Sequence, residues 1–288
     1  INANLVGESC QSVQHLLIDS RQLTEPAHSI FVALKSERND GHQYISGLIH
    51  KGVKTFIVHH IPENCVGLKD NICFLMVADT LKALQQLAAH HREEFNLPVI
   101  GVTGSNGKTI VKEWLYQLLK TDYNIARSPK SFNSQVGVPL SVWQLNNKHT
   151  LGIFEAGISE VGEMNVLRDI IKPTIGVFTS LGTAHDEGFK NISEKLKEKL
   201  QLFAQCQTVI VNALSFKQEH IELLNQHTFL ISKSEKATLQ IIEIENLFTH
   251  TIIIAKYKGE QISINIPFTD PASVDNAITC WATLLHLN

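Results

Sequence analysis

Residues 98–109 read Pro98-Val99-Ile100-Gly101-Val102-Thr103-Gly104-Ser105-Asn106-Gly107-Lys108-Thr109, and this stretch decides the fold. Its first three residues are a short apolar run that predicts a buried strand. The segment leaving it, Ile110 to Leu119, carries apolar residues at helical spacing. Strand, glycine loop, Lys-Thr pair and helix, in that order, form a phosphate cradle. Glycines let backbone N–H groups turn toward an anion, and the helix N-terminus adds partial positive charge. Lys108 is placed to reach β/γ phosphates and the Thr109 hydroxyl to hold Mg²⁺. Gly104, Ser105, Asn106, Gly107, Lys108 and Thr109 are therefore the expected nucleotide contacts. The strict pattern is not met, because Val102 stands where its first glycine belongs.

Working outward, the 288 residues allow about two domains. The apolar fraction of 43% is that of ordinary globular chains. A net charge of −3 gives no basic field for nucleic acid. The cysteines at positions 10, 65, 73, 206 and 280 have no C-x-x-C spacing, which argues against zinc and a disulfide framework and fits a reducing cytoplasm. No apolar run approaches the ~18 residues that span a membrane, and no signal peptide opens the chain. The chain begins at Ile1 without methionine and stops directly after a helical segment, so it reads as part of a longer protein.

Residues 1–97 are expected to form a small α/β domain. Apolar runs at 15–18, 30–34, 55–58 and 73–77 predict strands, and 44–50 and 80–95 predict helices. Polar clusters Asp19-Ser20-Arg21 and Lys35 to His42 fall at strand ends, where α/β domains place ligand groups or simply solvated turns. Asn96-Leu97-Pro98 predicts the hinge into a domain spanning 98–288. There, strands at 150–154, 174–179, 208–211 and 228–231 alternate with helices at 163–171 and 192–203, the pattern of a mostly parallel sheet. From Leu239 short β-like runs at 239–244, 249–255 and 261–266 predict an antiparallel section, with Lys258-Gly259-Glu260 as a hairpin turn. A helix from Ser273 to Leu287 closes the chain. Among the remaining chemical candidates, Glu155 ends a strand, where a second acid completes a Mg²⁺ shell beside a phosphate loop or is simply a surface carboxylate. His185 lies in a loop, and Lys199 sits on a charged helix that by itself reads as a solvated face.

These residues resemble the Mur ligases, the ATP-dependent amide ligases of peptidoglycan precursor synthesis. The resemblance lies in Gly101-x-Thr103-Gly104-x-x-Gly107-Lys108-Thr109, in Asn133 ahead of Gly137-Val138-Pro139, in Phe154-Glu155-Ala156-Gly157, and in Ala184-His185-Asp186-Glu187-Gly188-Phe189. Lys199, four residues before Phe203, matches the lysine that is carbamylated in the family. Lys112-Glu113 resembles the branch that joins D-alanyl-D-alanine to UDP-N-acetylmuramoyl-tripeptide. The resemblance implies ATP and Mg²⁺ as cofactors. It implies metal ligation by Thr109, Glu155, His185 and carbamylated Lys199, with Lys108, His185 and Lys199 catalytic. It also implies adenine contact by Asn276, and substrate contact by Ser20, Arg21, Lys35, Arg38, His42 and Asn133. The adenine motif departs from the family's, reading Asp270-Pro271-Ala272-Ser273-Val274-Asp275-Asn276. Nothing in the sequence corresponds to the family's C-terminal domain, so further domains are expected beyond Asn288; some related ligases are fused to an alanine racemase, which this sequence does not decide. The alternatives are another Mur-type or folylpolyglutamate-type ligase, a piece that binds nucleotide and UDP precursor without turnover, or an unrelated phosphate-loop kinase or GTPase.

Overall fold

In the computed structural model the run ahead of the glycine loop is strand β6 (Val99–Thr103), buried along its whole length. It lies inside a sheet whose order is fixed by its neighbours: β8 (Leu151–Glu155) pairs with it on one side and β9 (Ile175–Phe178) on the other, both parallel. Strands covered on both faces need apolar side chains throughout, which is why these segments read as continuous apolar runs. Outside β8 lies β7 (Ile125–Arg127); beyond β9 come β10 (Thr208–Asn212) and β11 (Thr228–Ser232), all parallel. Then β12 (Leu239–Asn246), parallel to β11, begins an antiparallel extension with β13 (Thr251–Tyr257) and β14 (Glu260–Ile266). The expected antiparallel section is thus the edge of one nine-stranded sheet. Lys258 at φ 51° and Gly259 at φ 90° make the turn between the last two strands, the backbone hand that suits a two-residue hairpin.

The helices are α3 (Lys108–Leu119), α4 (Gly137–Val142), α5 (Glu163–Ile171), α6 (Ile192–Leu200), α7 (Gln218–Ile221) and α8 (Pro271–Leu287). Helices α3 and α8 close one core with Ile100, Val102, Val111, Leu115, Ile153, Val177 and Ile278. The chain runs from β6 to one side of the sheet and, after β8, crosses to β9 on the other. That reversal makes the carboxyl end of β6 the topological switch point of the sheet, the place where such sheets bind ligands.

The N-terminal unit is built around β1 (Asn4–Gly7), β2 (His15–Leu17), β3 (Ser29–Val32), β4 (Thr55–Val58) and β5 (Cys73–Met76), ordered β1-β5-β4-β3-β2. All pairings are parallel except β1 with β5. Its core joins Phe31, Ile45, Leu48, Phe56 and Phe74 under α1 (Ile45–His50). Strands β1 and β7 and helix α4 are absent from the sequence reading. Helix α2 (Thr80–Glu93) follows β5, and the two compact units, Ile1–His91 and Arg92–Asn288, divide inside it. The division precedes the hinge expected at Asn96-Leu97-Pro98 because the Arg92 guanidinium donates to the carbonyls of Ile171, at 2.9 Å, and Lys172. The structure describes all residues except 9–11, 69–70, 183–187, 215, 217, 225–226 and 288. Among the described residues, Cys65, Cys206 and Cys280 are free thiols. No described helix is long and apolar enough to cross a membrane.

Candidate functional site

The loop between β6 and α3 depends on two glycines in backbone conformations that other residues resist. Gly104 has φ +149° and Gly107 φ +82°. A side chain at Gly104 would strike Thr179 Oγ1, and one at Gly107 would lie 2.2 Å from Asn276 Oδ1. The loop is tied to the end of β9: Ser105 N–H donates to Ser180 O at 2.8 Å, and Asn106 N–H to Ser180 Oγ at 3.1 Å. Those two amides, expected among the anion donors, are therefore spent on the framework. The first intrahelical bond of α3 is Val111 N–H to Gly107 O, so the amides of Lys108, Thr109 and Ile110 form the helix's open N-terminal turn.

Two lysines converge on this loop. Lys108 Nζ donates to Gly104 O at 3.1 Å and Ser105 O at 3.3 Å. Lys199, on α6, donates to the same Gly104 carbonyl at 3.1 Å. Lys199 is 1% exposed, which rules out the solvated-face reading of its helix. Burial, then the charges of Lys108 and Lys195, push its amine down to about 7. Burial also lowers Lys108, against the pull of Glu155. Asn276, expected at adenine, packs on the Gly107 turn.

At the end of β8, Glu155 is completely buried. Its Oε1 accepts from Thr109 Oγ1 at 3.2 Å and from Asn133 Nδ2 at 2.7 Å. Its Oε2 has no hydrogen-bond partner. Asn133, read from sequence as a substrate contact, is instead placed on this carboxylate. The structure thus gathers Lys108, Thr109, Asn133, Glu155 and Lys199 around one loop. His185 lies outside the described residues. Two buried groups of the same neighbourhood had no role in the sequence reading. Lys195 donates to Gly182 O, which Ser105 Oγ also reaches at 3.0 Å. Glu198 Oε1 caps the start of α5 through Gly162 N–H and Met164 N–H.

In the N-terminal unit, Asp19 caps the short turn carrying Ser20 and takes the Arg21 side chain at 2.7 Å. The Arg21 guanidinium holds the Asp19 carboxyl down at about 2. Lys35 and Arg38 are exposed on the turn after β3, Lys35 lying 4.0 Å from Asp40. His42 differs from expectation. It is buried, its Nδ1 donates to Asp40 Oδ1 at 2.6 Å, and its Nε2 accepts from His59 N–H at 3.0 Å. With both ring nitrogens spent, it holds the turn and has none left for a diphosphate.

The description "Mur ligase middle domain" matches residues 102–284, and "Mur ligase family, catalytic domain" matches residues 12–92. The chain belongs to the Mur ligase family. Among Mur ligases, the UDP-N-acetylmuramoyl-tripeptide--D-alanyl-D-alanine ligase of Borreliella burgdorferi is 34% identical over 283 residues, covering 94% of this chain and 60% of that protein. The crystal structure of MurF from Acinetobacter baumannii superposes with a TM-score of 0.84 at 28% identity, covering 96% of this chain and 60% of that one. MurF ligase from Thermotoga maritima, solved in complex with ADP, shares the fold at a TM-score of 0.82 and 22% identity, over 96% of this chain and 63% of that one. The chain thus spans about 60% of the length of the Mur ligases it matches.

Proposed function

We propose that this chain carries the UDP-substrate and ATP-binding parts of a cytoplasmic Mur ligase that joins D-alanyl-D-alanine to UDP-N-acetylmuramoyl-tripeptide. The observation that carries this is the convergence of Lys108, Thr109, Glu155 and Lys199 on one glycine loop. ATP is the nucleotide that Mur ligases use. In the proposed reaction the terminal carboxylate of the tripeptide attacks the γ-phosphorus in line, and ADP leaves. The amine of D-alanyl-D-alanine then attacks the acyl phosphate, and phosphate leaves. Lys108 and the open turn of α3 neutralise charge developing on the phosphate oxygens.

The site fits a Mg²⁺ ion. Glu155 Oε2 is a buried carboxylate oxygen without a hydrogen-bond partner, and the Thr109 hydroxyl stands beside the other oxygen. An anionic oxygen and a hydroxyl are the hard ligands this cation takes. Thr109 and Glu155 would hold it, where its charge would polarise the phosphate. Lys199, with its amine pushed to about 7, is the group suited to a carbamate, since only the neutral amine adds CO₂. That carbamate and His185 would hold a second ion. Asn133 orients Glu155, and Asn276 shapes the Gly107 turn. Ser20, Arg21, Lys35 and Arg38 are proposed for the uridine-diphosphate end, with His42 supporting their turn.

The test is to titrate the chain by calorimetry with MgADP and with UDP-N-acetylmuramoyl-tripeptide, and to look by mass spectrometry for the pentapeptide product when ATP and D-alanyl-D-alanine are added. Binding of both ligands, with or without product, is expected of this reading. A chain that binds neither is not the substrate-binding part of such a ligase.

A further inference from the structure

Lys112 has no part in the reading above, yet it is completely buried one helical turn beyond Lys108. Its ammonium donates to Ser128 O at 2.8 Å and to Lys130 O, the two carbonyls of the turn that leaves β7. It also lies 3.2 Å from Glu113 Oε1 and 3.5 Å from Glu155 Oε2. An ammonium has three protons. Two are committed to the turn, so the third side of the group faces the carboxylates. The same turn returns a contact, because Glu155 N–H donates to Ser128 Oγ at 3.2 Å. Asn133, on the stretch that follows, donates to Glu155 Oε1. One buried amine therefore links α3, the turn after β7 and the end of β8.

The consequence for Glu155 is asymmetric. Oε1 is fixed by Thr109 and Asn133 through hydrogen bonds. Oε2 feels the Lys112 charge without a hydrogen bond to it, so it is oriented while its lone pairs stay uncommitted. We propose that Lys112 is a positioning residue that aims the free oxygen of Glu155 at a divalent cation arriving with the nucleotide. The inference rests on the reading of Glu155 as a cation ligand. Lys112, a cation itself, cannot ligate the ion and acts through Glu155 and the Ser128–Lys130 turn. Mg²⁺ demands near-ideal octahedral geometry, so a misaimed carboxylate costs the metal-dependent part of nucleotide binding, while the α3 amides and Lys108, proposed above for the phosphates, are untouched.

The experiment measures ADP affinity of the chain by calorimetry twice, in MgCl₂ and in EDTA, and takes the ratio. Lys112→Met keeps the aliphatic stem and removes the charge; it should lose about tenfold of the Mg²⁺-dependent gain while its affinity in EDTA stays within about twofold of the unsubstituted chain. General loosening of the fold would instead lower both affinities together. Lys112→Gln, which keeps a donor for Ser128 O, should lose the gain similarly and serves if the methionine variant fails to fold, with thermal unfolding reporting on both. An unchanged ratio in a folded variant, or equal losses in MgCl₂ and EDTA, overturns the inference. Glu155→Gln separates the two levels. If it keeps the full gain, or if the unsubstituted chain has none, the reading of Glu155 fails. If it loses the gain while Lys112→Met keeps it, only the role of Lys112 fails.

Discussion

Replacing Lys199 by methionine should make the folded chain more stable at neutral pH. The side chain is 1% exposed, and its amine is pushed from 10.5 to about 7, first by burial and then by Lys108 and Lys195. The sign follows from proton counting. Between pH 7 and 10.5 the unfolded chain holds a proton on this amine that the folded chain has released, so stability rises with pH across that window. Below it the folded state carries a buried, crowded cation at full cost. A shift of this size corresponds to a penalty on the order of 5 kcal/mol, against which the lost hydrogen bond to Gly104 O sets about 1 kcal/mol. Lys199→Met should therefore gain a few kcal/mol at pH 6–7, and the gain should fade as pH approaches 10. The assay is urea unfolding of both proteins at several pH values in CO₂-depleted buffer. A methionine variant that is less stable at pH 6, or a difference that does not vary with pH, refutes the reasoning.

Lys108→Ala should weaken ADP binding by about 1.5–3 kcal/mol, the worth of charge-assisted hydrogen bonds; equal titration curves would remove this lysine from the phosphate site. Gly107→Ala combines a φ of +82° with a side chain aimed at Asn276, and should cost about 1–3 kcal/mol of stability in thermal unfolding and weaken ADP binding as well. His42 is held neutral, below its ordinary 6.5, chiefly by burial and despite Asp40. A group so depressed contributes stability that is present above 6.5 and lost as pH falls below it, so acid unfolding of the chain should be less steep in this range for His42→Gln, and an unchanged pH profile would remove His42 from that role.

Much of the architecture was legible because the signals were local. The glycine loop, the run ending at Glu155 and the Lys258-Gly259 turn each carry their own chemistry. The strands β1 and β7 were not, since three or four residues with mixed polarity acquire strand form only from a neighbour, Asn4 to Gly7 from β5 and Ile125 to Arg127 from β8. Lys199 illustrates a signal present but outweighed. It occupies the apolar stripe through Leu196 and Phe203 at i, i+3, i+7, yet its charge made a solvated face the ordinary reading. His42 shows the reverse case. A histidine at a strand end reads as a ligand, and only the positions of Asp40 and the His59 amide, the latter from another strand's end, reveal that both nitrogens are taken. Lys112 entered only as part of a Lys-Glu motif that marks a branch of the family; its burial depends on the Ser128–Lys130 turn, which no periodicity encodes.

The packing of α8 against the phosphate helix bears on how the protein is made. Cys280 reaches Val111 O across 169 residues of chain, and Asn276 abuts Gly107. A ribosome delivering the second unit from its N-terminal end exposes the glycine loop well before the helix that braces it. Contacts of such sequence separation form slowly, because a long loop must close before they repay its entropy. Within this unit the nucleotide site is thus complete only after α8 has been made, and the apolar face of α3 waits meanwhile for its cover. A chaperone that shields this face during translation, or ADP added to a refolding mixture, should raise the yield of folded protein by acting at the docking of α8.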